Sequence, residues 1–276
     1  MKINTLAASL IFTGMFSLTV SSTASAQPDN GLALDNAVNS DFRQGKNTAR
    51  DLERHPKETL NFFGIKPTDT VIELWPGGGW YAEILAPYLA DKGRYIGGNF
   101  DTNPEDEKQR NGYRAKVGKK FEQWLDQNKA QLGQASSVTF DPPNSYKLGK
   151  DNSADVVVTF RNLHNWAMKD YLEPVFGAVY KVLKPGGTFG VVEHRAEPGM
   201  DVRTGYMDQT QIIKLAEKMG FVFVASSEVN ANAKDTKDHP KGVWTLPPRL
   251  ALGDQDKEKY LSIGESDRMT LKFTKK

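Results

Sequence analysis

Residues 71–89, VIELWPGGGWYAEILAPYL, constrain what this chain can fold into more than any other stretch. An apolar run ends at Glu73, the glycines Gly77, Gly78 and Gly79 follow, and an amphipathic pattern opens directly behind them. That order describes a buried strand, a tight turn whose backbone can approach a ligand, and a helix whose first N–H groups face the same crevice. A nucleoside-like ligand fits such a crevice. A glycine-rich turn alone is a weak signal, so its surroundings must carry the reading.

A strand–helix rhythm continues from there. Strands are expected over 70–74, 93–100, 137–140, 155–160, 188–193, 221–227 and 269–274, with helices over 80–89, 121–131, 171–183 and 207–219. Strands that alternate with helices call for a Rossmann-like α/β fold: a mostly parallel seven-stranded sheet, helices on both faces, and an antiparallel edge from the last two strands. The apolar run 155–160 suits a central strand covered on both sides. Lys184-Pro185-Gly186-Gly187 reads as the turn before the fifth strand. Upstream, 27–40 reads as a loose arm and 41–52 as a short surface helix. His55-Pro56 then breaks the chain before a helix that stops at Gly64.

The first 26 residues read as an export signal: Lys2, an uncharged apolar stretch over 6–20, and small residues at Ala24-Ser25-Ala26. The apolar stretch is shorter than the roughly 20 residues a membrane span needs, so no stable membrane insertion is expected. Three regions result: 1–26 as signal peptide, 27–59 as a helical extension, and 60–276 as the main domain with an insertion around 230–267. The expected location is the periplasm, or the medium after secretion. The formal charge of +2 gives no reason to expect nucleic acid. Cysteine is absent, which removes thiol nucleophiles, thiolate metal sites and disulfides.

Three segments, ELWPGGGW, VVVTFRNLHN and VLKPGGTFGVVEH, follow the first strand, span the fourth and enter the fifth. In that order the chain resembles the class I S-adenosylmethionine-dependent methyltransferases over about 60–273. A closer resemblance is to exported methyltransferases that share ELWPGGGWY and the His-Pro helix before it. The resemblance implies S-adenosylmethionine as cofactor. Gly77 and Gly79 then pass its methionine and ribose parts, and Glu73 orients its amino group. Asn99 and Asp101 take the place of the usual ribose-binding acid, Asp141 stands near the adenine amino group, and Asn162 and Leu163 contact the cofactor after the fourth strand. Trp75 departs from the family pattern, which has a glycine there; its ring either paves the pocket, occludes it or packs under the turn.

For chemistry beyond the cofactor, His164, His194, Arg161 and Glu193 stand at strand ends that face the ligand crevice. His164 is the favoured proton acceptor, with His194 second; Arg161 suits an acidic substrate and Glu193 orients a histidine. The same residues also read as a structural polar network. No metal is expected, because no short ligand spacing exists. Separated dinucleotide-binding glycines, a P-loop lysine and a nucleophile-elbow serine are all missing. The resemblance thus implies methyl transfer from S-adenosylmethionine to a small molecule as the function. The alternative is a non-enzymatic envelope protein, nucleoside-binding or structural, that inherited the fold.

Overall fold

The computed structural model describes residues 30–276, so the expected export signal lies outside the described residues. Seven strands, β1 (Thr70–Leu74), β2 (Arg94–Asn99), β3 (Ser136–Thr139), β4 (Ala154–Phe160), β5 (Leu183–His194), β6 (Phe221–Ser227) and β7 (Arg268–Lys275), form one sheet in the order β3-β2-β1-β4-β5-β7-β6. β1 to β5 run parallel. β7 is antiparallel to both β5 and β6, which supplies the expected edge. The chain moves from β1 outward to β3 and then returns to place β4 on the other side of β1. This reversal opens a crevice between the C-terminal ends of β1 and β4.

The pleat explains why the strands read as continuous apolar runs. Val157 points into one buried cluster with Ile72, Leu74, Phe189 and Leu271, while Val156 and Val158 point into the other with Val71, Leu85 and Tyr95. Helices Leu172–Val182 and Gln209–Lys218 cover the first face. Helices Pro56–Phe63, Ala82–Leu89 and Tyr113–Gln127 cover the second. His55 at φ 43° and Gly64 at φ 77° bracket the Pro56–Phe63 helix as its sequence foretells.

Four local expectations need correction. The supposed loose arm contains a helix, Asn30–Val38, whose Leu34, Ala37 and Val38 make an inward stripe at helical spacing. The polar stretch 41–52 is no surface helix. It forms the short helices Gly45–Thr48 and Asp51–Arg54, and Arg43, Asn47 and Arg54 are buried. The helix expected at 121–131 starts earlier, at Tyr113, because Ala115, Gly118, Phe121 and Leu125 together make its inner face. Lys184–Gly187 is a bulge within β5, not a turn before it: Leu183 pairs with Ala154 and Thr188 with Val156. A Cβ on Gly187 would lie 2.8 Å from the Lys184 carbonyl oxygen, and Lys184 pins the bulge through Asp155 at 2.6 Å.

Between β6 and β7 the chain folds back over the C-terminal ends of β4 and β5. Buried Asp235 holds this insertion together by accepting from Tyr206 Oη at 3.0 Å and from the Asp267 N–H at 2.8 Å, with His239 Nε2 2.8 Å away. Trp244 consequently stands edge-on to His164, with ring centroids 5.9 Å apart. Among the described residues, no helix is long and apolar enough to cross a membrane.

Candidate functional site

The turn after β1 sits at the crevice. Trp75, Gly77 and Gly79 have φ of 49°, 58° and 79°. Left-handed backbone suits the two glycines and is strained at the tryptophan. A Cβ on Gly78 would meet nothing within 4 Å, and one on Gly77 only the Trp75 carbonyl oxygen at 3.9 Å. The glycines therefore leave open space above the turn. Beneath it, Glu73 is buried and accepts from Tyr95 Oη at 2.7 Å. Burial pushes the Glu73 carboxyl up to about 7, even though the Tyr95 hydrogen bond favours its charged form. Lys46, Asn47, Arg50, Arg161 and Asn162 complete an inner cavity of about 290 Å³ around Glu73, Gly77 and Gly78.

Trp75 packs beside the turn. Its indole Nε1 donates to the Phe140 carbonyl oxygen at 2.8 Å, and the ring lies between Phe100 and Trp166, with centroids 4.9 and 4.8 Å away. The Arg114 guanidinium covers it at 4.5 Å. Asn162 ties the same turn down by donating to the Leu74 carbonyl oxygen at 3.0 Å. Leu163 is fully buried in the core and lines neither cavity beside the turn.

On the β2–β3 side, Asn99 donates to the Gly118 carbonyl oxygen and accepts from the Phe100 N–H, so both ends of its amide are engaged inside the protein. Asp101 and Asp141 line a separate cavity of about 440 Å³ with Tyr113, Arg114 and Tyr171. The two acids are linked, as the Asp101 N–H donates to Asp141 at 3.2 Å. Arg114 pairs with Asp141 at 3.3 Å, but burial outweighs it and pushes the Asp141 carboxyl up.

At the ends of β4 and β5 the structure brings His164, Glu193 and His194 together. His164 Nδ1 lies 3.1 Å from Glu193 Oε1, and its Nε2 lies 3.0 Å from the Asn165 amide nitrogen, so both ring nitrogens are engaged. Glu193 is fully buried and also accepts from the His164 and His194 N–H groups. His194 Nδ1 meets Ser266 Oγ, whereas its Nε2 has only the Glu193 carboxylate, 4.0 Å away. Burial, and then the charges of His164 and Arg161, push the His194 imidazole well below its ordinary value. One ligand-capable atom from each of these three residues lies within 4.8 Å of the others, a closeness that sequence spacing did not reveal. Arg161, Arg268 and Arg54 bear on the same imidazole, a setting that disfavours a cation there.

Arg50, Arg54 and Arg268, which gather beside Arg161, are what sequence reasoning missed. Arg50 donates to Glu265 at 2.6 Å, Arg54 at 3.2 Å and Arg268 at 3.0 Å, with Arg161 3.6 Å away. Four guanidiniums share one buried carboxylate and hold it down at about 2 against its burial. An outer cavity of about 480 Å³ opens beside them, walled by Arg161, His164, His194, Trp244 and Ser266. No pattern in the sequence signals this cluster, because Arg54 and Glu265 are 211 positions apart.

The strand order, the glycine turn at the switch point and the acid beneath it define the class I S-adenosylmethionine-dependent methyltransferase fold. Residues 73–191 match the family model described as a methyltransferase domain. Among solved structures, a [4+2]-cyclase, SpnF, is similar at 15% identity and a TM-score of 0.54, covering 88% of this chain and 92% of its own. A putative sarcosine dimethylglycine methyltransferase from Galdieria sulphuraria is similar at 14% identity and a TM-score of 0.52, covering 83% and 87%. At those identities the likeness concerns the fold alone. No curated protein matches the chain. The match of residues 73–191 to that family model supports S-adenosylmethionine as the cofactor.

The residues present fit that cofactor at its methionine end. Glu73 offers a buried acceptor for an ammonium, Lys46 offers a cation for a carboxylate, and the open glycine turn admits the chain between them. The ribose end departs from the family pattern, since Asn99 is committed elsewhere.

Proposed function

We propose that this protein is an exported S-adenosylmethionine-dependent methyltransferase acting on a small molecule. The observation that carries the reading is the glycine turn at the sheet's switch point, open above and backed by the buried Glu73 carboxylate. Bound there, the cofactor supplies an activated methyl group on a sulfonium. The chain's own task is alignment: Glu73 and Asn162 fix the turn side, Trp75 and Arg114 wall it, and Trp244 limits water over the acceptor side. Of the two histidines only His194 keeps a ring nitrogen outside a hydrogen bond, so it is the one that can accept a hydrogen bond from the methyl acceptor; burial and the neighbouring arginines disfavour an imidazolium and suit it to positioning the acceptor. Glu193 orients His164 through its backbone and ring N–H groups and accepts the backbone N–H of His194.

The committed Asn99 amide favours a second reading, an envelope nucleoside-binding protein that inherited the fold. Calorimetry separates the two. Saturable binding of S-adenosylmethionine with label transfer to a small molecule from envelope extract supports the enzyme. Tight S-adenosylhomocysteine binding without any turnover supports the binding protein.

A further inference from the structure

The buried arginines have too few partners. Glu265 is shared by Arg50, Arg54, Arg161 and Arg268. Glu53 gives Arg268 its backbone oxygen and turns its carboxylate to the Glu265 N–H. Glu193 is occupied by His164 and the His194 N–H. The side chains of Arg54 and Arg268 are each only 3% exposed, so water does little to screen them. Burial lowers the affinity of Arg50, Arg54 and Arg268 for their protons, and the charge of Arg161 adds to it in each case. Buried guanidiniums in excess of their carboxylates call for a further anion.

The cofactor is not that anion. Its sulfonium and ammonium outnumber its carboxylate, so it brings one net positive charge to the inner cavity and enlarges the surplus. The outer cavity has the matching shape. Arg50, Arg54 and Arg161 form its floor, and Val243, Trp244 and Leu246 give it an apolar wall. Like Arg50 and Arg54, Arg161 borders both cavities. Its φ of 61° is a strained conformation for a non-glycine residue, of a kind that persists where a side chain must be aimed.

We propose that the outer cavity seats a small organic anion, an apolar body bearing a carboxylate or phosphate group that Arg161, Arg50 and Arg54 hold. The seat rests on the methyltransferase reading for the fate of the ligand and not for its binding. Benzoate and phenyl phosphate serve as probes, with benzamide as the neutral control, titrated calorimetrically into the purified protein. At least one anion should bind saturably and about tenfold or more tighter than benzamide, more weakly as salt rises. Arg161→Gln should cost that affinity about tenfold, and Arg161→Lys should restore part of it. The wild-type comparison stands even if a variant misfolds. Benzamide binding as tightly as both anions, or an Arg161→Gln protein with full anion affinity, overturns the seat. A parallel S-adenosylhomocysteine titration keeps the two readings apart. Cofactor binding without anion preference overturns the seat alone, and anion binding without cofactor binding upholds the seat while removing the cofactor.

Discussion

His164 Nδ1 and Glu193 Oε1 are 3.1 Å apart, and both side chains are buried. Glu193 also accepts from two backbone N–H groups, so it organises the loop after β4 as well as a histidine. Glu193→Ala should destabilise the protein by about 3 kcal/mol, since it strands these donors in a buried site. His164→Gln should likewise act on stability first, whereas His194→Gln should slow methyl transfer by about tenfold or more with a smaller loss of stability, that of its Ser266 contact. Thermal denaturation and turnover of each variant check the division. A His164→Gln protein that melts normally but is inactive would give the acceptor-facing role to His164.

Cofactor affinity should depend on pH through Glu73. Its carboxyl is pushed up to about 7, so near neutral pH a substantial fraction is protonated and cannot accept an ammonium's charge. Affinity for S-adenosylhomocysteine should therefore rise between pH 6 and pH 8, with proton release on binding at the lower pH. Titration in two buffers of different ionisation heat measures that proton. Constant affinity across this range, with no proton released, would remove Glu73 from the site.

Glu265 makes stability, too, rise with pH, but in the acid range. Its folded value of about 2 lies below the ordinary 4.5, so its contribution is fully present above about pH 4.5 and is lost as pH falls toward 2. Glu265→Gln should cost about 3 kcal/mol at pH 7 and flatten the acid limb of the stability curve. Denaturant unfolding at pH 7 and pH 3 provides the comparison. An unchanged acid limb would show that the arginines do not depend on this carboxylate.

Export predicts a defined end to the chain. Mass spectrometry of protein from the native envelope should find Gln27 first, after cleavage behind Ala24-Ser25-Ala26. Met1 retained in cytosolic protein would contradict it.

Much of the fold was legible because its signals are local. Thr70–Leu74 and Phe221–Ser227 are strands with the bounds their apolar patterns suggest, and Pro56 and Gly64 mark a helix by backbone preference alone. The helix Asn30–Val38 was hidden because its stripe is short and set among polar residues. Lys184–Gly187 has the composition of a turn, yet pairing on both sides of it makes it a bulge. The strand ends at His164, Glu193 and His194 could be placed at one edge from topology. Their mutual contacts depend on side-chain directions, and the arginine cluster joins three distant segments, so neither leaves a mark in local sequence.

The central claim is that the glycine turn over Glu73 binds S-adenosylmethionine. Calorimetric titration of the folded wild-type protein and Gly77→Asp with S-adenosylmethionine and S-adenosylhomocysteine tests it most directly. The turn requires saturable binding of both by the wild type, and its loss in a Gly77→Asp protein of normal secondary structure, because the new side chain projects from a turn at φ 58° whose Cβ position is open. A well-folded wild-type protein that binds neither ligand would contradict it.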